Sequence, residues 1–201
     1  MKDKVIRHLS KDKQLRPLVK RFPFPELEGK PNKVYEHLLR SIVSQQLSGK
    51  AADTIHGRFL NLFPRKNPLA QRVVELDFDT LRGVGLSRQK ATYIQNVAQY
   101  FIDHKLKRFK WDQYNDEEIL QLLTEIKGVG TWTAQMILMF SLNRTDILPI
   151  DDLGIRNAMI RLYGLTSEKK QLKQELLDIA EPWRPYRTYV CRYLWWYIDE
   201  K

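Results

Sequence analysis

Residues 125–156 read EIKGVGTWTAQMILMFSLNRTDILPIDDLGIR, and this stretch decides the fold. Gly128-Val129-Gly130 lies between two segments of helical periodicity, and Asp151-Asp152 stand at the head of a further helix. Glycines without a Cβ reach positive φ and leave their amides open to approach. Such amides at a helix start, with the positive end of the helix dipole behind them, bind an anion such as phosphate. An acid further along the chain can then be aimed at whatever hangs from that phosphate. A Gly-Val-Gly turn alone carries little weight, since short glycine turns end many helices.

Outward from this stretch the periodicity stays helical. Tyr35, Leu38, Leu39 and Ile42 form one apolar stripe, with Asn32 as the expected N-cap. The stripe runs into Ser44-Gln45-Gln46-Leu47-Ser48, where Gln45 and Gln46 read as residues that satisfy backbone groups at a helix junction; the next helix starts at Ser48 or Gly49 and closes at Pro64. Short helices follow over 67–76 and 79–81. A second Gly-x-Gly, Gly83-Val84-Gly85, reads as a helix end followed by an N-cap at Ser87, and its helix buries Ala91, Ile94, Val97, Ala98 and Phe101. DNA contact at Arg88 or Lys90 is secondary there. Asn115 with Glu118 predicts a capping box, and 131–142 is apolar nearly all round. Helices over 152–163, 167–180 and 185–199 complete the chain. Residues 1–31 carry four prolines and read as a short helix and an irregular lead-in packing on the helical core. No strand pattern, repeat or low-complexity segment is found, so the fold class is all-α, as two helical lobes with a cleft, within one domain over 1–201.

Composition bounds the function. The chain has 201 residues, of which 43% are hydrophobic, and 34 Lys and Arg against 24 Asp and Glu give a net charge of +10. That balance suits a polyanion partner, nucleic acid first. The one cysteine, Cys191, excludes internal disulfides and a four-cysteine iron–sulfur cluster. No apolar run approaches the ~20 residues that span a membrane, and the first residues lack the apolar core of a signal peptide. The expected location is cytoplasmic, on the nucleoid in a prokaryote or nuclear in a eukaryote.

Ile126-Lys127-Gly128-Val129-Gly130, then Thr131-Trp132-Thr133-Ala134, then Leu148-Pro149-Ile150-Asp151-Asp152 resemble the helix-hairpin-helix and catalytic aspartate of the HhH-GPD DNA glycosylase superfamily, in its AlkA-type 3-methyladenine DNA glycosylase II branch. The likeness extends over 33–199. It implies a monofunctional glycosylase that flips alkylated bases of the 3-methyladenine and 7-methylguanine class out of duplex DNA and hydrolyses the N-glycosidic bond, starting base excision repair.

The resemblance also assigns residues. Asp152 is the catalytic carboxylate, with Asp151 as cap or orienting residue; from residue type alone, either acid is an N-cap before it is a catalyst. Trp132, Met136 and Trp195 line the base pocket, where relatives have an aromatic in place of Met136. Gln46 fills the gap left by the extruded nucleotide, and Ser48, Gly128, Gly130 and Thr133 complete the DNA contacts. No resident metal or cofactor is implied, apart from a monovalent cation at the hairpin carbonyls. The partner is damaged double-stranded DNA, bound by a monomer. The four histidines match no motif position and are expected to be surface or core residues. A glycosylase for another lesion, a non-catalytic helix-hairpin-helix module and a helical protein–protein adaptor are the competing readings.

Overall fold

The computed structural model describes residues 1–200, and among these there are helices and turns without a strand. Two compact units divide the chain: Gly29–Leu142, and Met1–Glu28 together with the chain from Asn143 onward.

The first of these units is built from α3 (Val34–Ser44), α4 (Gly49–Asn61), α5 (Ala70–Val74), α6 (Phe78–Gly83), α7 (Arg88–Asp103), α8 (Asp116–Thr124) and α9 (Thr131–Phe140). Two of these helices, α3 and α7, each bury one long stripe. Val34, Leu38, Leu39, Ile42 and Val43 do so on α3, and Ala91, Ile94, Val97, Ala98 and Phe101 do so on α7, at the i, i+3, i+4 spacing that places them on one face. Local capping fixes the starts. Ser87 accepts from the Lys90 amide, and Asn115 and Glu118 form the expected capping box at α8. Asn32 is not a cap. It lies inside a 3₁₀ turn, Pro31–Lys33, and α3 begins at Val34 with Lys33 in the cap position, because Pro31 starts the turn before the predicted helix can begin.

The other unit contains α1 (Lys2–Leu9), α2 (Leu15–Arg21), α10 (Leu153–Tyr163), α11 (Lys169–Ala180) and α12 (Arg187–Asp199). The first thirty residues are more ordered than their prolines suggest. Pro17 falls in the first turn of α2, where the missing amide would have had no intrahelical partner, and Val5, Leu9, Leu15, Leu18 and Val19 are buried. Asp12 fastens this segment. It accepts from the Tyr163 hydroxyl at 2.7 Å and the Trp183 indole at 3.0 Å, as well as from the amides of Gln14 and Leu15.

Burial pushes the Asp12 carboxyl up, but these four hydrogen bonds outweigh it and hold its pKa below the ordinary value. A depressed carboxylate pKa contributes stability that is present above the unfolded value and lost as pH falls through the folded one. Asp12→Ala is expected to lower stability by about 1 kcal/mol at neutral pH, partial exposure weakening the charge-assisted bonds, and the gap in Tm between variant and wild type should narrow on acidification. Thermal melts between pH 7 and pH 2 check this; a gap that stays constant would mean the carboxylate charge is not involved.

Candidate active site and nucleic-acid interface

Gly128 takes φ 109° at the turn between α8 and α9, a value open to glycine and rarely to other residues. A Cβ there would lie 2.3 Å from Cγ of Tyr93, so the loop rests directly on that ring. Gly130 is different. Its φ is −88° and nothing lies within 4 Å of where its Cβ would be, so this residue faces open space at the start of α9. No side chain caps α9. The first-turn N–H groups of a helix point outward along its axis, toward the place where an anion would sit.

The α3–α4 junction lies in the same unit. Gln45 and Gln46 part company here. Gln45 turns inward and its Nε2 donates to the Gly128 carbonyl at 3.3 Å, as a junction residue should. Gln46 takes φ 56°, a left-handed conformation uncommon for a residue with a side chain, and is exposed together with Leu47 and Ser48. Ser41, Ser44, Gln45, Gln46 and Trp132 line a cavity of about 370 Å³. Trp132 is 44% exposed, and Met136 is partly buried one turn beyond it.

The carboxylate belongs to the other unit. Asp152 caps α10: its Oδ1 accepts from the Ile155 amide at 2.9 Å and from Trp195 Nε1, on α12, at 3.0 Å. The segment leading to it is fastened to α12 as well. Asp146 receives Arg187 at 2.6 Å and Arg184 at 2.7 Å; Thr188 Oγ1 donates to the Arg144 carbonyl and accepts from the Ile147 amide. Cys191 donates its thiol to the Ile147 carbonyl, and burial holds its pKa far above the usual thiol range, so it is a packing residue rather than a nucleophile.

Residues 39–184 match the HhH-GPD superfamily of base excision DNA repair proteins. The chain belongs to that superfamily. The DNA-3-methyladenine glycosylase 1 of Schizosaccharomyces pombe is 37% identical over 163 residues, covering 80% of this chain and 71% of the relative. A solved structure of a 3-methyladenine DNA glycosylase from the same organism, in complex with abasic DNA, superposes with a TM-score of 0.80 at 34% identity over 96% of this chain and 95% of that one. A DNA-3-methyladenine glycosidase from Bacillus halodurans gives a TM-score of 0.81 at 32% identity over 96% and 88%.

Against the superfamily's pattern, one expectation needs correction. Asp151 does not cap α10; it is exposed and meets Lys173 at 3.1 Å, an ion pair between exposed groups that contributes little. Asp152 takes the cap because its backbone is extended, which brings its own carboxylate over the Ile155 amide. Thr133, expected among the DNA contacts, is 4% exposed with its side chain facing the interior, so what it can offer a strand is its first-turn backbone N–H. Of the histidines, His37 is bound through Nδ1 to the Ser141 hydroxyl at 2.6 Å, and burial depresses its pKa, in keeping with a structural residue.

One residue of the site was not picked out from sequence, and the role of another was incomplete. Gly154 is the first: a Cβ there would come within 3.2 Å of both Asp152 Oδ1 and Trp195 Cδ1, so this position has to be small for indole and carboxylate to meet. The only signal was a glycine two residues beyond the acid. Trp195 was expected as a pocket wall and not as a hydrogen-bond donor.

The resemblance implies a monovalent cation at the hairpin carbonyls. The carbonyls of Ile126, Lys127 and Gly128 accept from Val129 N, Asn96 Nδ2 and Gln45 Nε2 respectively. Each carbonyl oxygen keeps a second lone pair, and neutral oxygen donors are the chemistry that a monovalent ion takes. Among the described residues no cluster of three or more His, Cys, Asp and Glu forms a metal site, and no helix is long and apolar enough to cross a membrane.

Proposed function

We propose that this protein is a monofunctional DNA glycosylase that removes alkylated purines, of the 3-methyladenine and 7-methylguanine class, from duplex DNA. The observation that carries this reading is the double grip on Asp152 Oδ1 by an amide and an indole N–H, in a chain whose relatives are named as 3-methyladenine glycosylases. Cleaving the N-glycosidic bond builds positive charge on the sugar. A carboxylate held in one orientation stabilises that charge without reorganising, and it can orient the attacking water. An alkylated purine is already cationic while bonded to the sugar and departs as a neutral base when it takes the electron pair of the glycosidic bond, so a second acid is not needed and the reaction calls for no cofactor.

The unit carrying the hairpin grips the strand. Its helix start holds a phosphate, Gln46 and Leu47 project from the junction turn toward the base stack, and the exposed face of Trp132 offers a cationic base a cation–π contact of about 1–2 kcal/mol. The net charge of +10 supplies the sequence-independent part of binding to duplex DNA, which weakens steeply with salt. A monovalent ion at the hairpin carbonyls would add positive charge next to that phosphate. One copy of the chain carries all of these residues, and we take the monomer as the working form.

Bifunctional members of the superfamily have a lysine two residues after the second hairpin glycine, where this chain has Trp132. An indole cannot form an imine, which leaves water as the nucleophile. Incubation with duplexes that each carry one lesion, followed by chemical cleavage of abasic sites, is expected to show excision of alkylpurines, whereas borohydride added during turnover should trap no protein–DNA adduct. A trapped lysine adduct would overturn the monofunctional assignment. Binding without excision of any lesion in the panel would leave a DNA-binding module.

A further inference from the structure

One face of α7 carries four polar side chains, each tied to a residue of the DNA-gripping unit or to a neighbour on that face. Lys90 sends its ammonium inward to the Val43 carbonyl at 2.8 Å, at the C-terminal end of α3, three residues before Gln46 adopts its left-handed φ. The Tyr93 ring lies under Gly128, and its hydroxyl accepts from Gln89 at 2.7 Å. Asn96 donates to the Lys127 carbonyl at 3.1 Å, and Tyr100 donates to Glu125 at 2.7 Å. A single helix therefore reaches both the end of α3 that launches Gln46 and the loop that presents Gly128 and Gly130. Gln45 closes the circuit from the other side through its bond to the Gly128 carbonyl.

Packing alone does not call for this chemistry. An apolar side chain at position 90 would cover α3 without taking an ammonium away from water, and burial does lower the Lys90 pKa. What the ammonium adds is a directed bond to a carbonyl at a helix end, where the dipole is negative. That bond fixes where α3 stops and so where the Gln46 turn begins.

We propose that Lys90, Tyr93 and Asn96 are positioning residues that hold the Gln46 turn at a set distance from the hairpin loop, so that seating a phosphate at the loop presents Gln46 to the base stack. This rests on the reading of the hairpin as phosphate anchor and of Gln46 as the residue that fills the stack. Lys90 is then no DNA contact: its effect passes through the backbone of the turn.

The test uses the full chain and a duplex with 2-aminopurine beside an abasic-site analogue, whose fluorescence reports what fills the gap, together with excision from 7-methylguanine paired with cytosine. Lys90→Met should reduce the fluorescence change at saturating protein to about the level of Gln46→Ala, and the double variant should lose no more than either single one, because residues acting through one element are not additive. Lys90→Arg should restore most of the response. Duplex affinity should stay within about threefold, and excision from the paired lesion should fall about tenfold in Lys90→Met. Asn96→Leu serves as the second variant, with the same expectation, should Lys90→Met not fold.

A full fluorescence response in both Lys90→Met and Asn96→Leu, or additive losses in the double variant, would overturn the inference, as would a wild type with no response. A wild type that responds in fluorescence but excises nothing would count against the glycosylase reading alone.

Discussion

Asp152→Asn is expected to lose about 10²- to 10³-fold in the single-turnover rate of base excision, the scale seen when a preorganised electrostatic group is removed from a transition state. The substitution is well suited to the question. Asn caps helices about as well as Asp, and its Oδ1 can still accept from the Ile155 amide and from Trp195 Nε1, so α10 and the position of the indole should be kept. What disappears is the negative charge. Because that charge acts on a cation formed mainly in the transition state, affinity for lesion-bearing duplex should be unchanged or tighter while turnover collapses. Asp151→Asn should retain activity, since Asp151 is exposed and paired with the surface residue Lys173. An Asp152→Asn enzyme with wild-type turnover would remove Asp152 from the reaction, and selective loss in Asp151→Asn would move the role by one residue.

The contrast between the two aspartates also marks how far the sequence could be read. Asn32 apart, what local chemistry sets was legible: the Asn115 capping box, the Ser87 cap, the buried stripe of α7 and the hairpin itself follow from residue type and spacing over a few positions. Which aspartate would cap was not legible, because it turns on one residue's backbone angle. Nor was the division of labour between Gln45 and Gln46. It depends on a left-handed φ at 46 and on a hydrogen bond from Gln45 to a residue 83 positions away. The pairing of Trp195 with Asp152 spans 43 positions and needs a glycine at 154 to make room. The second helix of the lead-in, α2, was missed for another reason: proline is a breaker inside a helix but neutral in its first turn, and composition does not say which place Pro17 occupies. Long-range partners and the sign of φ are the information that a single sequence withholds.

The two hairpin glycines look equivalent in sequence and should behave differently on substitution. Gly128→Ala is expected to damage the fold. The new Cβ would overlap the Tyr93 ring at 2.3 Å, and φ of 109° strains any residue with a side chain. Strain of about 1–3 kcal/mol and overpacking of similar size together should lower Tm by roughly 10 °C for a chain of this length. Measured against Tyr93→Ala alone, adding Gly128→Ala should cost only the strain, since the ring that the new Cβ would meet is gone, and the difference separates the two causes. Gly130→Val should leave Tm near that of wild type, because a Cβ there meets nothing within 4 Å. Its side chain would instead occupy the open space in front of the α9 amides, where the phosphate is proposed to sit. Charge-assisted bonds to those amides would lengthen or break, and affinity for any duplex, damaged or not, should fall by roughly tenfold or more. Thermal melts beside binding isotherms at fixed salt decide the matter: a stable Gly130→Val protein with undiminished affinity would mean that the phosphate contacts lie elsewhere on the chain.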